Sequence, residues 1–498
     1  MTGVGGRIDT ITGVRIAGPG REFLMDDEPV DVFIEDGLIA DIAPTGALPA
    51  RGAVLDAAGG WAVPGLWDNH VHTVQWALAE ERVDLGGVRS AAEAAALMGR
   101  AAPLPDGRRI GSGFRDALWP DAPGLALLDA ATGDVPTYLI NADVHSTWLN
   151  SAALRREGFA SADGMLREED AFEISRRLNA VDPERSDRAV RAAGDRAAAR
   201  GVTGLVDFDM AWNADAWPRR IAQGFASHRV EFAVYPFDLS RAIGAGLRTG
   251  ELHEDPDAPE AGRGLIRVGP LKIISDGSLG TRTAACSHAY PGDPDNFGVL
   301  TVPPAALAEL LTTATGAGLG VAVHAIGDRA VTAALDAFTA TGAVGTIEHA
   351  QLVRHADLAR FARLGVVASV QPQHAVDDRD VVGTHWALQT SIGYPLRALQ
   401  DAGVELRFGS DAPVAPLDPW QAISAAVTRT DDERAPWHPE EILGRDDALR
   451  ASVRTALRPG AVADIAVCGA DPRVAVGEAL RRMPVIATLL GGHLTHRA

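Results

Sequence analysis

The chain opens and closes on β patterning around a middle of a different kind. Thr10–Ile16, Val30–Ile34, Leu38–Ile42 and Ala53–Asp56 are short β-rich or alternating runs, with Asp36-Gly37 as a hairpin turn. Ala463–Cys468 and Val485–Leu490 repeat that character near the other end, followed by a Gly491-Gly492 turn. Two β-rich ends predict a small β-sandwich domain that both termini build together, over residues 1–62 and 455–498.

In the middle, apolar strand-like runs alternate with Ala-, Leu- and Arg-rich helical stretches, the signature of a parallel sheet or barrel. The runs are Ala62–Leu66, Gly204–Phe208, Val230–Tyr235, Leu271–Ile274, Gly320–His324, Gly345–Glu348, Val366–Val370 and Glu405–Phe408. Eight is the number a closed (β/α)8 barrel requires. The expected fold is therefore α/β, a (β/α)8 TIM-like barrel over 63–454 beside the terminal β-sandwich. The first two runs are separated by a span from about 75 to 200, which holds its own strand-like runs, Arg109–Phe114 and Thr137–Ala142. An insertion that long predicts a cap over the barrel rather than a plain connection.

Composition narrows the partners. The chain has 498 residues with 66 acidic and 46 basic side chains, a net charge of −20. That balance argues against a nucleic-acid or anionic-membrane binder. Two cysteines, Cys286 and Cys468, are too few for a disulfide framework. The opening MTGVGGRIDTITG lacks the basic start and apolar run of a signal peptide, and no segment approaches the ~20 apolar residues of a membrane span. A cytoplasmic protein is the expectation. One count stands apart: the 46 basic residues are 45 Arg and a single Lys, Lys272.

Candidate chemistry starts at WDNHVHT, where His70 and His72 stand two apart just after an apolar run. Residues at that spacing on a strand point to the same side, so they converge as a metal requires. Paired histidines at strand ends are often ordinary surface residues, so this motif alone decides little. Lys272 in LKIISDG, His324 in VAVHAIGD, His349 in TIEHAQ and Asp411 in FGSDAP change the weighting. Each lies in or just after an expected strand, and the C-terminal strand ends form the active-site face of such barrels. Five strands would then deliver a ligand-type residue to one rim.

The arrangement resembles the amidohydrolase superfamily, metal-dependent hydrolases on a (β/α)8 barrel, and within it amidohydrolase family 3, the branch containing N-substituted formamide deformylase. The stretches that carry the resemblance run in order along nearly the whole chain: VPGLWDNHVHT, GFRDALWP, DVHSTWLNSAAL, GMLREEDAF, LKIISDGSLGTRTA, VHAIGDRAV, IEHAQLV, SVQPQH and GSDAPVAPLDPW. The resemblance implies a binuclear centre. His70, His72 and Asp411 would hold one divalent ion, expected to be zinc, and His324 and His349 the second. Lys272, carboxylated by CO2, would bridge them. Arg could not take that place, because its guanidinium stays protonated. The implied reaction is hydrolysis of a non-peptide C–N bond in an amide, N-formyl or cyclic amide compound. Hydroxide generated at the metals attacks, and Asp411 serves as general base and then acid.

The bland reading of Asp411 is a helix N-cap after Ser410. Arg282 in GTRTA is a candidate for holding a substrate carboxylate, with a loop ion pair as its plain alternative. His145, Trp119 and His374 are candidate pocket residues, packing being the alternative for each. Within enzymes the rival is a D-aminoacylase-like deacylase of N-acyl amino acids. Outside them it is a metal-free relative acting as a binding protein. A homodimer is suggested by analogy alone.

Overall fold

The computed structural model describes residues 4–20, 28–253 and 259–498. Its centre is an eight-stranded sheet of parallel strands in chain order. These are β1 (Leu66–Val71), β2 (Val202–Asp207), β3 (Arg229–Val234), β4 (Ile266–Ile274), β5 (Val321–Ala325), β6 (Gly345–His349), β7 (Val367–Val370) and β8 (Leu406–Phe408). Bonds between the two ends curl the sheet into a barrel. Asn69 Nδ2 donates to the Phe408 carbonyl at 2.7 Å, Asp411 N to the His70 carbonyl at 2.7 Å, and His72 N to the Ala412 carbonyl at 2.9 Å. Gly409 lets β8 come this close, since a Cβ there would lie 2.6 Å from His70 N.

Every residue of β1, β2 and β5 is buried, as expected of strands covered on both faces. The outer helices read as amphipathic stripes. Asp328–Thr341 buries Ala330, Val331, Ala334, Leu335, Ala337 and Phe338 and stops at Gly342, which takes a left-handed φ of 66°.

One expected strand is displaced. Patterning put the first barrel strand at Ala62–Leu66, but Trp61–Pro64 belongs to the terminal sheet, pairing with Thr10–Ile16 and with Ile465–Cys468. After Gly65 the barrel begins at Leu66. The actual first strand reads as polar because Asp68 and His70 point into the barrel mouth. An apolar run cannot reveal where one buried strand ends and another starts.

The terminal sheet follows the path 493–497, 485–490, 465–468, 61–64, 10–16, 30–35, 38–44, with 54–56 also against 10–16. Strand Thr10–Ile16 changes partner halfway. Thr10–Thr12 pairs with 54–56, and Arg15–Ile16 pairs with 61–62. Between them Gly13, at φ 64°, forms an irregularity in the ladder, and its N–H bonds Asp31 Oδ1 at 2.9 Å. The bend wraps two layers around a core that includes Ile11, Val14, Ile34, Leu55, Ile465 and Leu489. Buried Asp464 joins this body to the barrel through Arg229 Nε at 2.7 Å.

The span between β1 and β2 carries a five-stranded sheet of its own, in the order 165–167, 146–149, 137–141, 109–114, 83–84. Asn150 fixes one corner of it. Its side-chain oxygen caps helix Ser151–Glu157 at Ala153 N, and its amide donates to the Val135 carbonyl at 2.8 Å.

Candidate metal centre

Three strand ends place the histidines. His70 lies in β1 and His72 just beyond it, while His324 is the last residue but one of β5 and His349 ends β6. Period-two alternation turns His70 and His72 the same way, and backbone turns aim the others. His349 has φ 72° and Asp411 φ 58°, left-handed values that cost an ordinary residue about 1–3 kcal/mol. Such strain persists only where the surrounding structure fixes it, and here both residues lean over the barrel mouth.

The rings and carboxylate meet closely. Asp411 Oδ1 lies 3.3 Å from His72 Nε2 and 3.4 Å from His70 Nε2. Lys272 Nζ, from β4, is 3.3 Å from His70 Nε2 and 4.3 Å from the centre of the Phe208 ring. His349 sits between the groups, its ring centre 4.8 Å from His70 in a tilted pair and 4.6 Å from His324 edge to face. Two sets of donor atoms lie close enough to share an ion: His70, His72 and Asp411, and His349, His374 and Asp411.

The surroundings hold the donors in a ligand-ready state. Burial, reinforced by neighbouring Lys272 and histidines, pushes the His70, His324 and His349 imidazoles well below their ordinary pKa, so the rings are neutral. Glu348 Oε2 receives His70 Nδ1 at 2.7 Å, and Gln371 Oε1 receives His349 Nδ1 at 2.8 Å, leaving each Nε2 for the centre. Asp68, pushed up to about 6 by burial, accepts from His70 N and Ser410 N and ties β1 to the Asp411 loop. Asp276 accepts the backbone N–H groups of Ala285, Ile326 and Gly327 and so fixes the turn that follows His324. Burial lowers the Lys272 ammonium to about 8, against the pull of Glu348 and Asp411.

The outlying candidates divide. His145 lines the cavity over the centre, 5.5 Å from the His324 ring, and bonds Glu168 Oε2 through Nδ1 at 2.9 Å. Burial disfavours its charge, but Glu168 outweighs that and raises its pKa to about 9. His374 also lines the cavity, 95% buried, with no hydrogen-bond partner for Nε2 among the described residues. Arg282 does not reach the cavity: it is exposed, on a loop at φ 59°. Trp119 packs on Phe114, ring centres 5.5 Å apart, away from the lining. Sequence reasoning passed over Glu348, Gln371, Asp276 and Asp68. All four sit inside the quoted motifs IEHAQLV, SVQPQH, LKIISDG and VPGLWDNHVHT, the one signal that could have marked them.

A parallel barrel that gathers four histidines, an aspartate and a buried lysine at its strand ends belongs with the metal-dependent barrel hydrolases. The chain belongs to the amidohydrolase family, whose model matches residues 53–496. It is similar to Protein LONG AFTER FAR-RED 3 of Arabidopsis thaliana, at 27% identity over 86% of this chain and 81% of that one. It resembles the putative amidohydrolase YtcJ of Bacillus subtilis (strain 168), at 26% over 94% and 96%. N-substituted formamide deformylase of Arthrobacter pascens is also 26% identical, over 93% and 94%. Among solved structures, an uncharacterized metal-dependent hydrolase from Pyrococcus horikoshii OT3 matches with a TM-score of 0.77 at 25% identity, covering 98% of this chain and 99% of that one. Among the described residues no helix is long and apolar enough to cross a membrane.

Proposed function

We propose that this enzyme hydrolyses a non-peptide C–N bond in a small amide, N-formyl or cyclic amide compound, using two divalent ions. The observation that carries the reading is the position of the only lysine. Lys272 is buried in the barrel wall with Nζ 3.3 Å from His70 Nε2, where, among the described residues, an ammonium has no carboxylate within ion-pairing distance. The donor set fits the metals. Neutral imidazoles and a carboxylate suit zinc, with manganese, iron or cobalt as alternatives. His70, His72 and Asp411 would hold one ion and His324 and His349 the other. The Lys272 amine, once deprotonated, adds to CO2 through a new N–C bond and releases a proton to solvent. The resulting carbamate would add a carboxylate to the donors available to the ions.

Divalent ions bound there would supply the charge that makes a water acidic and polarises the scissile carbonyl. The side chains do the rest. Asp411 takes the proton from the attacking water and delivers it to the departing nitrogen, which would otherwise leave as a poor amide anion. Glu348 and Gln371 keep the imidazoles oriented throughout. A D-aminoacylase-like activity draws no support from the cavity, because Arg282 stands outside it and the lining Arg115 is already paired with Asp377 at 3.1 Å.

The test is an assay of zinc- and manganese-loaded protein on N-alkylformamides, cyclic amides and N-acyl amino acids, with and without a chelator. Chelator-sensitive release of amine from the first two classes is expected. Activity confined to N-acyl amino acids, or turnover that survives complete metal removal, would overturn the proposal.

A further inference from the structure

Three cavities meet where the span between β1 and β2 lies over the barrel mouth. The one over the centre is the smallest, about 100 Å³. A second, of about 370 Å³, shares His72, Phe172 and Met210 with it, and a third, of about 460 Å³, shares Arg115, Asn141 and Val414. Among the described residues Val144 alone lines all three.

The backbone at this junction is strained. Val144 takes φ 57°, a left-handed value that a β-branched residue rarely adopts and that glycine would reach without cost. The surroundings impose it. Val144 N donates to the Asn141 carbonyl at 3.1 Å, and both chain neighbours are tied down. Asp143 accepts from Ser278 Oγ, on the turn after β4, at 2.7 Å, and His145 Nδ1 bonds Glu168 Oε2 at 2.9 Å. Val144 also packs on the apolar cluster that includes Ile140 and Leu149. With the chain pinned on either side, the bulk of this residue stays where the three spaces join. Strained positions that the fold over-determines gather where a ligand is clamped.

We propose that Val144 sets the length of substrate the enzyme accepts, by separating the cavity over the centre from the two larger ones. The inference rests on the amide-hydrolase reading above and adds a limit on the group attached to the scissile amide. Compact substituents fit, and long alkyl chains are turned away. The space beyond Val144 would otherwise suit such a chain, since Trp76, Ile140, Pro413 and Pro416 are in the lining of the largest cavity. Each methylene buried there would strengthen binding about threefold to fourfold.

The experiment runs two series, with chains from methyl to octyl, on zinc-loaded native, Val144→Ala and Val144→Gly proteins. N-alkylformamides report turnover. Alkyl hydroxamates, which bind metal ions, report affinity by calorimetry whether or not any amide is cleaved. In the native protein, kcat/KM and affinity are expected to fall once the chain outgrows the central cavity. In both variants the fall moves to longer chains, and the octyl-to-ethyl ratio rises about tenfold or more. Val144→Ala keeps the left-handed backbone and removes only methyl groups, so a shift shared by both variants belongs to volume. It is also the milder change and carries the test if Val144→Gly melts early. Octyl compounds that bind the native protein as well as ethyl ones, or a native length profile in Val144→Ala, would rule the inference out. A hydroxamate profile that shifts as expected while no formamide is hydrolysed would instead sink the amide-hydrolase reading and leave the length limit standing.

Discussion

Lys272 occupies a wall position where burying a charge is costly, and the chain elsewhere meets every need for a cation with arginine. Burial brings its ammonium down to about 8, so a usable fraction is neutral amine at mildly alkaline pH. Arginine keeps the charge but cannot add CO2. Lys272→Arg is therefore expected to cut turnover by roughly a hundredfold or more, and metal analysis should find its content falling from two ions per chain to one or none. The gathering of these side chains at the barrel mouth was legible, because each is a ligand-type residue in or just after an expected strand. Glu348 and Gln371 were not, since an ordinary glutamate or glutamine gains meaning only from the imidazole it meets across the barrel. Arg282 was misread for the same reason. It lies close in sequence to the Lys272 strand, but a left-handed turn carries it out to solvent.

At the scale of elements, strand existence was easier to read than strand boundaries. Thr10–Ile16 and Arg109–Phe114 match their patterning, and seven of the eight runs expected in the barrel lie mostly within a barrel strand. The eighth, Ala62–Leu66, fell in the terminal sheet because two buried strands follow each other across Gly65. The barrel's closure rests on a residue that carries no pattern at all. A Cβ on Gly409 would sit 2.6 Å from His70 N and 2.7 Å from His70 Cβ, forcing β8 and the first histidine apart. Gly409→Ala is expected to lower stability by about 1–3 kcal/mol and to weaken metal binding together with it. Thermal melting and chelator competition would register both. A variant with native melting temperature and native metal affinity would show that the closure has slack.

For the molecule as a whole, buried neutral histidines set the response to acid. His228 is fully buried just before β3, and burial alone pushes its pKa down to about 3. The unfolded chain takes up this proton near pH 6.5 while the native state refuses it until about pH 3. Stability from this site is therefore complete above pH 6.5 and falls by about 1.4 kcal/mol per pH unit below it. Denaturant melts of His228→Gln should show a shallower decline across that window than the native protein. An unchanged slope would mean that the ring is protonated in place. Patterning foretold the barrel, and the small-molecule substrate was expected from the family resemblance alone, whereas the cavity lining draws on loops from the span between β1 and β2 and from after β7, where sequence gives no register.

The central claim is a carboxylated Lys272 shared by two ions. A crystal structure of zinc-loaded protein, grown with bicarbonate and recorded with anomalous scattering at the zinc edge, tests it most directly. The account predicts two anomalous peaks, one among His70, His72 and Asp411 and one beside His324 and His349, with branched density extending Lys272 Nζ between them. A bare amine at Lys272 beside a single ion would contradict it.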